Sequence, residues 1–225
     1  MSAETNALAV TLVSGGLDSC VATAWAAGRY RLAMLHVNYG QRTEARELEC
    51  FRRLAEHFRP AHRQVFEAAY LGAMGGSSLT DSGLEIPEDD PPGRIPTTYV
   101  PFRNANLLAI ATAWAETIGA SRLVIGAVQE DAPGYPDCRP AFFEAANRLI
   151  ELGTCPETHI LVETPLIAMS KAKIIRLGVR LHAPLAETWS CYRSGDKPCG
   201  RCASCCRRAD AFAAAGVADP VTSAT

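Results

Sequence analysis

Ala7 to Val13 is a nearly unbroken apolar run that stops at Ser14-Gly15-Gly16 and gives way to a helical pattern from Leu17 to Ala27, with Gly28 as the expected C-terminal cap. No other feature constrains the fold as much. A run without polar alternation marks a strand buried on both faces, and the glycines permit the turn that carries the chain into a helix. The same form recurs along the chain. Leu32 to Val37 reads as a second strand and Thr43 to His57 as a second helix, with Gln64 to Phe66 as a weaker third strand. Then follow a helix at Asn104–Ile118, a strand at Leu123–Ala127, a helix from Pro140 to about Leu152, a strand at Ile160–Val162 and a helix at Ser170–Leu181 with Ser170 as the expected N-cap. Alternating strands and helices predict an α/β fold, a parallel sheet flanked by helices on both faces. Between Leu71 and Pro101 the composition turns to Gly, Ser, Asp and Pro, a loop long enough to suggest a functional role.

Ser14-Gly15-Gly16-Leu17-Asp18-Ser19 occupies the first strand-to-helix junction. Backbone N–H groups and the positive end of a helix converge there, which favours phosphate. Gly15 and Gly16 allow close approach, the Ser14 and Ser19 hydroxyls can donate to phosphate oxygens, and the Asp18 carboxylate would repel bare phosphate unless Mg2+ lay between them. Neither GxxxxGK[ST] nor GxGxxG occurs, which argues against a P-loop kinase or a dinucleotide dehydrogenase. The six residues resemble the pyrophosphate loop of the ATP pyrophosphatase superfamily. That resemblance implies ATP as cosubstrate, adenylation of a substrate oxygen, and release of AMP and pyrophosphate.

Four of the nine cysteines, Cys191, Cys199, Cys202 and Cys205, form C-x7-C-x2-C-x2-C, with Gly195, Pro198 and Gly200 among them for tight turns. Four thiolates suit a structural Zn2+ that pins the C-terminal segment; an iron–sulfur cluster is the competing reading. Cys206 rivals Cys205 as a ligand, and the even spacing favours Cys205, while Cys20 and Cys50 read as core thiols. With 22 basic and 24 acidic residues the net charge is −2, which disfavours nucleic acid as a direct partner. No apolar run approaches the roughly 20 residues of a membrane helix. The first residues lack the cationic and apolar pattern of a secretory signal, so reduced cysteines and a cytoplasmic location are expected.

Arg103, Asn104, Tyr135, Asp137, Arg139 and Lys171 fall in loops that follow strands or open helices, where an open α/β sheet places its ligand crevice. Together with Asn38-Tyr-Gly-Gln-Arg42, Ser78-Leu-Thr-Asp81, Tyr99-Val-Pro-Phe-Arg-Asn104, Gly134-Tyr-Pro-Asp-Cys-Arg139, Glu163-Thr-Pro-Leu166 and Thr188-Trp-Ser-Cys-Tyr192, these residues give the chain a resemblance, over nearly its whole length, to the 7-cyano-7-deazaguanine synthase family of queuosine biosynthesis. The resemblance implies an adenine nucleotide alpha hydrolase-like domain at 1–186 and a zinc-binding segment with a C-terminal helix at 187–225. It also implies that Ser14, Gly15, Gly16, Leu17, Asp18 and Ser19 hold the ATP phosphates and that Leu35, His36 and Asn38 receive the nucleoside. Asp18 and Lys171 become the catalytic pair, and Arg103, Asn104, Tyr135, Asp137 and Arg139 contact the deazapurine or organise its pocket.

The implied reaction converts 7-carboxy-7-deazaguanine and ammonia to the nitrile through an adenylated carboxylate and an adenylated amide. Thr43, Phe102 and Pro133 depart from the family pattern, at places where substrate or nucleophile choice could change. They motivate an alternative in which the reaction stops at the amide or the activated carboxylate passes to another amine, including one on a protein acceptor. The absence of an evident glutaminase segment points the same way. A nucleotide sensor without activity is disfavoured by intact Asp18 and Lys171, and tRNA thiolation or lysidine formation by the near-neutral charge. A homodimer is expected for an enzyme of this size.

Overall fold

Alternate residues of the first strand pack against opposite layers, which is why its sequence shows no polar face. In β1 (Leu8–Leu12) every residue is buried. Leu8, Val10 and Leu12 face one cluster and Ala9 the other. The computed structural model describes residues 6–89, 94–131 and 134–221. Around β1 the strands β2 (Arg31–Asn38), β3 (His62–Glu67), β4 (Arg122–Ile125) and β5 (Leu161–Glu163) form one parallel sheet in the order β3-β2-β1-β4-β5. The chain winds outward through β2 and β3, then crosses β1 to lay down β4 and β5. The order therefore reverses between β1 and β4, where a crevice opens at the strands' carboxyl ends.

One face of the sheet is covered by α4 (Arg103–Ile118) and α5 (Pro140–Gly153), through Leu108, Ala111, Ala115, Phe143 and Ile150. The other carries α1 (Leu17–Ala27), α2 (Glu44–Phe58), α6 (Lys171–Arg180) and α7 (Ala203–Ala215). A short α3 (Tyr70–Ala73) follows β3. The C-terminal segment shares the main core: Phe212 of α7 is 2% exposed beside Ile174 and Ile175 of α6. Burial of one such ring contributes about 2–3 kcal/mol to docking the helix.

The expected elements are all present, with small shifts at their ends. Gly28 caps α1 in right-handed backbone, and Ser170 sits at the N-cap of α6 without a side-chain hydrogen bond. The described part of the Leu71–Pro101 segment is fastened to the domain. Ser77, Ser78, Ile86, Thr98 and Val100 are buried, and the Arg42 guanidinium donates to the Leu84 carbonyl at 3.0 Å.

Candidate active site

Gly15 adopts φ +86°, and a Cβ there would lie 2.7 Å from the Glu47 carbonyl oxygen, so the turn between β1 and α1 accepts only glycine without rearrangement. The turn is tied internally. Ser14 Oγ lies 3.1 Å from Ser19 Oγ and accepts from Gly16 N–H at 3.2 Å, while Ser19 Oγ donates to the Gly16 carbonyl at 2.9 Å. Gly126, at the end of β4, lets that strand pass against the first turn of α1: a Cβ would meet the Asp18 carbonyl at 2.8 Å.

Two adjoining cavities of about 250 and 270 Å³ share Asp18, Arg103, Asp131, Trp189 and Tyr192 as walls, and together form the crevice at the reversal of strand order. Lys171, the first residue of α6, donates from Nζ to Asp18 Oδ2 at 2.6 Å and to Asp131 Oδ2 at 3.0 Å. Burial pulls the Lys171 pKa down, but the two carboxylates outweigh it and hold the ammonium above its ordinary value. Burial lifts the Asp131 carboxyl, with Lys171 opposing and Asp18 adding to the rise. Among the described residues, Asp18 Oδ1 is buried without a partner. Two carboxylates and an orphaned acceptor beside a phosphate-type turn fit a divalent cation such as Mg2+.

The expected ligand-binding residues separate into two groups. Ser14, Ser19, Leu35 and Asn104 line the larger cavity, Gly16, Leu17, Tyr135 and Lys171 the other, and Asp18 and Arg103 border both. Arg103 donates to Tyr39 Oη at 3.2 Å, and Tyr135 Oη lies 2.6 Å from Thr98 Oγ1. His36 and Asn38 face away from the cavities, because alternate residues of a strand point to opposite sides. The His36 ring is held between the Val13 carbonyl at 2.8 Å and Asn38 Oδ1 at 3.0 Å. Asp137 stands behind the wall: it is 5% exposed, and its Oδ2 accepts the Asn104 N–H at 2.9 Å in the first turn of α4. Asn104 Nδ2 returns a bond to the Asp137 carbonyl at 3.0 Å, so the pair positions Arg103 and Cys138. Arg139 is exposed outside both cavities.

Of the three departures, Thr43 lines the larger cavity, where its hydroxyl donates to Glu47 Oε1 at 2.5 Å. Phe102 lies on the outer surface in a groove between α4 and α5, at φ +56°, a left-handed conformation that favours a smaller residue. Pro133 lies outside the described residues.

Sequence reasoning assigned no site role to Asp131, Trp189, Tyr192 or Arg207, although Trp189 and Tyr192 belong to the Thr188–Tyr192 motif; all four line the crevice. Asp131 ends the short turn Gln129–Asp131 in the loop after β4, the strand next to β1 across the switch point, a position that could have signalled it.

The Cys191, Cys199, Cys202 and Cys205 sulfurs lie within 4.8 Å of one another, and Cys206 stands outside the group, exposed. Two of the separations, Cys199–Cys205 and Cys191–Cys202, are 4.0 Å. Tetrahedral ligation with bonds of about 2.3 Å sets sulfurs about 3.8 Å apart, so the group fits one tetrahedral ion. The Cys202 N–H donates to Cys199 Sγ at 3.4 Å, as suits thiolate charge, and Trp189 N–H donates to the Gly15 carbonyl at 2.9 Å, joining the module to the glycine turn.

Comparison with known proteins supplies the lineage of this arrangement. Residues 8–216 match the model of the family described as "Queuosine biosynthesis protein QueC". Relatives named 7-cyano-7-deazaguanine synthase from Chlorobaculum parvum and Chlorobaculum tepidum are each 56% identical over 95% of this chain and 95% of their own. One from Chlorobium limicola is 54% identical over the same shares. Among solved structures, a predicted subunit of tRNA methyltransferase from Methanocaldococcus jannaschii is similar over 76% of this chain and 73% of that chain, with TM-score 0.49 and 16% identity. The glycine turn, the switch-point crevice and the cysteine module thus sit in a sequence matched almost from end to end, and the chain belongs to the QueC family of queuosine biosynthesis.

Proposed function

We propose that the chain converts 7-carboxy-7-deazaguanine and ammonia to 7-cyano-7-deazaguanine at the expense of ATP. The observation that carries the reading is the Lys171–Asp18–Asp131 ion group at the amino end of α1, in a crevice with Arg103 and Tyr135 on its walls. The substrate carboxylate attacks the α-phosphorus, pyrophosphate leaves, and ammonia displaces AMP to give the amide. The amide oxygen then attacks a second ATP, and loss of AMP and a proton leaves the nitrile. No protein nucleophile is required. The chain's task is to align the reactants and offset phosphate charge, through backbone donors of the turn, the α1 dipole and the Lys171 ammonium. Asp18 and Asp131 would hold Mg2+, which when bound neutralises the phosphates. Arg103 and Tyr135 face the deazapurine, Asp137 acts from outside the cavity by holding the wall through Asn104, and exposed Arg139 has no part in the pocket.

The four cysteines would hold a structural Zn2+, making the segment from 187 onward a metal-held module on the 1–186 domain. The close relatives favour the nitrile over the amide or protein-conjugate outcome. No helix among the described residues is long and apolar enough to cross a membrane, and a cytoplasmic enzyme with free thiols is the reading adopted. The groove between α4 and α5, with Phe102 62%, Leu149 72% and Leu152 68% exposed, would close in a homodimer. Light scattering of Leu149→Asp should then give half the mass of the wild type.

Purified protein with 7-carboxy-7-deazaguanine, MgATP and ammonium should form the nitrile by mass spectrometry, with AMP and pyrophosphate, and Asp18→Ala should abolish it. AMP without nitrile would overturn the reading.

A further inference from the structure

The phosphate end of the crevice is walled by the cysteine module as well as by the glycine turn. First-turn residues of three helices line the same cavity of about 250 Å³: Leu17 and Asp18 of α1, Lys171 of α6 and Ser204 of α7. Arg207, one turn further along α7, lines it too. Its Nη2 donates to Tyr192 Oη at 2.7 Å, and its charge interacts with the Asp18 carboxylate. Trp189 stands in the same wall, only 5% exposed, and its Nε1 is a buried donor with no partner among the described residues. A buried N–H without an acceptor costs free energy, which an anionic oxygen in the cavity would recover.

Charge balance points the same way. The Lys171 ammonium is shared between Asp18 and Asp131, so its positive charge is offset before any ligand arrives. The pyrophosphate group of ATP carries several negative charges. Arg207, whose charge is also partly answered by Asp18, adds a second cation from a different element to meet that demand, and a guanidinium fork suits phosphate oxygens in particular.

We propose that Arg207, with the Trp189 indole N–H, binds the β- and γ-phosphates of ATP, so that the cysteine module forms a working wall of the nucleotide site. This rests on the ATP-dependent reading above. The substrate carboxylate is the other anionic group that could meet the guanidinium, and the test separates the two.

Metal-loaded protein would be titrated calorimetrically with magnesium pyrophosphate and, separately, with 7-carboxy-7-deazaguanine. Arg207→Met should weaken pyrophosphate binding by about tenfold or more, the scale of one charge-assisted hydrogen bond. Arg207→Lys should recover part of that loss, and carboxydeazaguanine binding should stay unchanged. Arg148→Met, which removes an exposed charge paired with Glu151, should leave both unchanged. Metal content per chain and melting temperature measured on each variant would show the module intact. In turnover, KM for ATP should rise more than kcat falls. Unchanged pyrophosphate binding in Arg207→Met overturns the proposal, as does a loss confined to carboxydeazaguanine, which moves the guanidinium to the carboxylate. Wild-type protein that binds neither MgATP nor pyrophosphate would remove the ATP reading itself, and this inference with it.

Discussion

Lys171→Met tests whether the ion group at the amino end of α1 serves catalysis or only charge balance. Its ammonium lies 2.6 Å from Asp18 and 3.0 Å from Asp131, with side chains 24%, 25% and 29% exposed respectively. Removing one partner of a fully buried ion pair costs about 3–5 kcal/mol. Here each side chain keeps about a quarter of its surface in water, so screening reduces the loss to about 2 kcal/mol. For a chain of this length that lowers Tm by roughly 4–8 °C. Replacing Asp131 by Asn as well removes one of the two stranded carboxylates, and Lys171→Met/Asp131→Asn should recover much of the lost Tm. Activity should follow a different course. Loss of a preorganised charge at a phosphoryl centre lowers turnover by about 10²–10³-fold, and the double variant should stay inactive. Thermal melts without nucleotide, paired with mass-spectrometric product formation well below either Tm, make both measurements. Turnover within tenfold of wild type in Lys171→Met would refute the catalytic role and leave a structural neutraliser.

Other expectations follow from the same geometry. Metal analysis should find one Zn2+ per chain, and chelation or Cys202→Ser should lower Tm and weaken MgATP binding together, because Trp189 N–H holds the Gly15 carbonyl at 2.9 Å; a Tm loss with unchanged MgATP affinity would refute the coupling. Gly126→Ala should cost about 1–3 kcal/mol and weaken MgATP binding, because the new methyl would press on the Asp18 carbonyl; a variant with unchanged melting and affinity would count against that packing. Glu47 gives a pH signature. Burial raises its carboxyl pKa, with the bonds from Thr43 and Gln41 opposing. A raised folded value means that ionised Glu47 costs stability above its folded pKa, and that the cost vanishes as pH falls below the ordinary carboxylate value. Glu47→Gln should therefore be at least as stable as wild type at pH 8 and lose that advantage by pH 4; an advantage that grew on acidification would reverse the sign of the argument.

What the sequence disclosed and what it withheld divide along a physical line. β1 and α1 were legible because a strand buried on both faces and a helix opened by glycines leave local marks that neighbouring residues suffice to read. β3 was faint because it is an edge strand with four of its six residues exposed, so no apolar run announces it. The segment after Leu71 reads as a long loop because its buried Ser77, Ser78 and Thr98 are polar, and its order comes from bonds between its own ends and from distant partners such as Arg42. The same limit decided the site. Asp137 sits among motif residues expected to contact the deazapurine or to organise its pocket, and in the fold its carboxylate accepts the Asn104 N–H in the first turn of α4. Asp131 has only its place after the strand beside β1 to mark it, and its partner Lys171 lies 40 residues from it and 153 from Asp18 along the chain. Arg207 lies two residues after Cys205, and only the packing of α7 against α6 brings it to the crevice. Chemistry that depends on one turn of backbone is written in consecutive residues. Charge complementarity across the crevice exists only once the sheet brings four separate segments to one point, and that is where substitution should separate binding from folding.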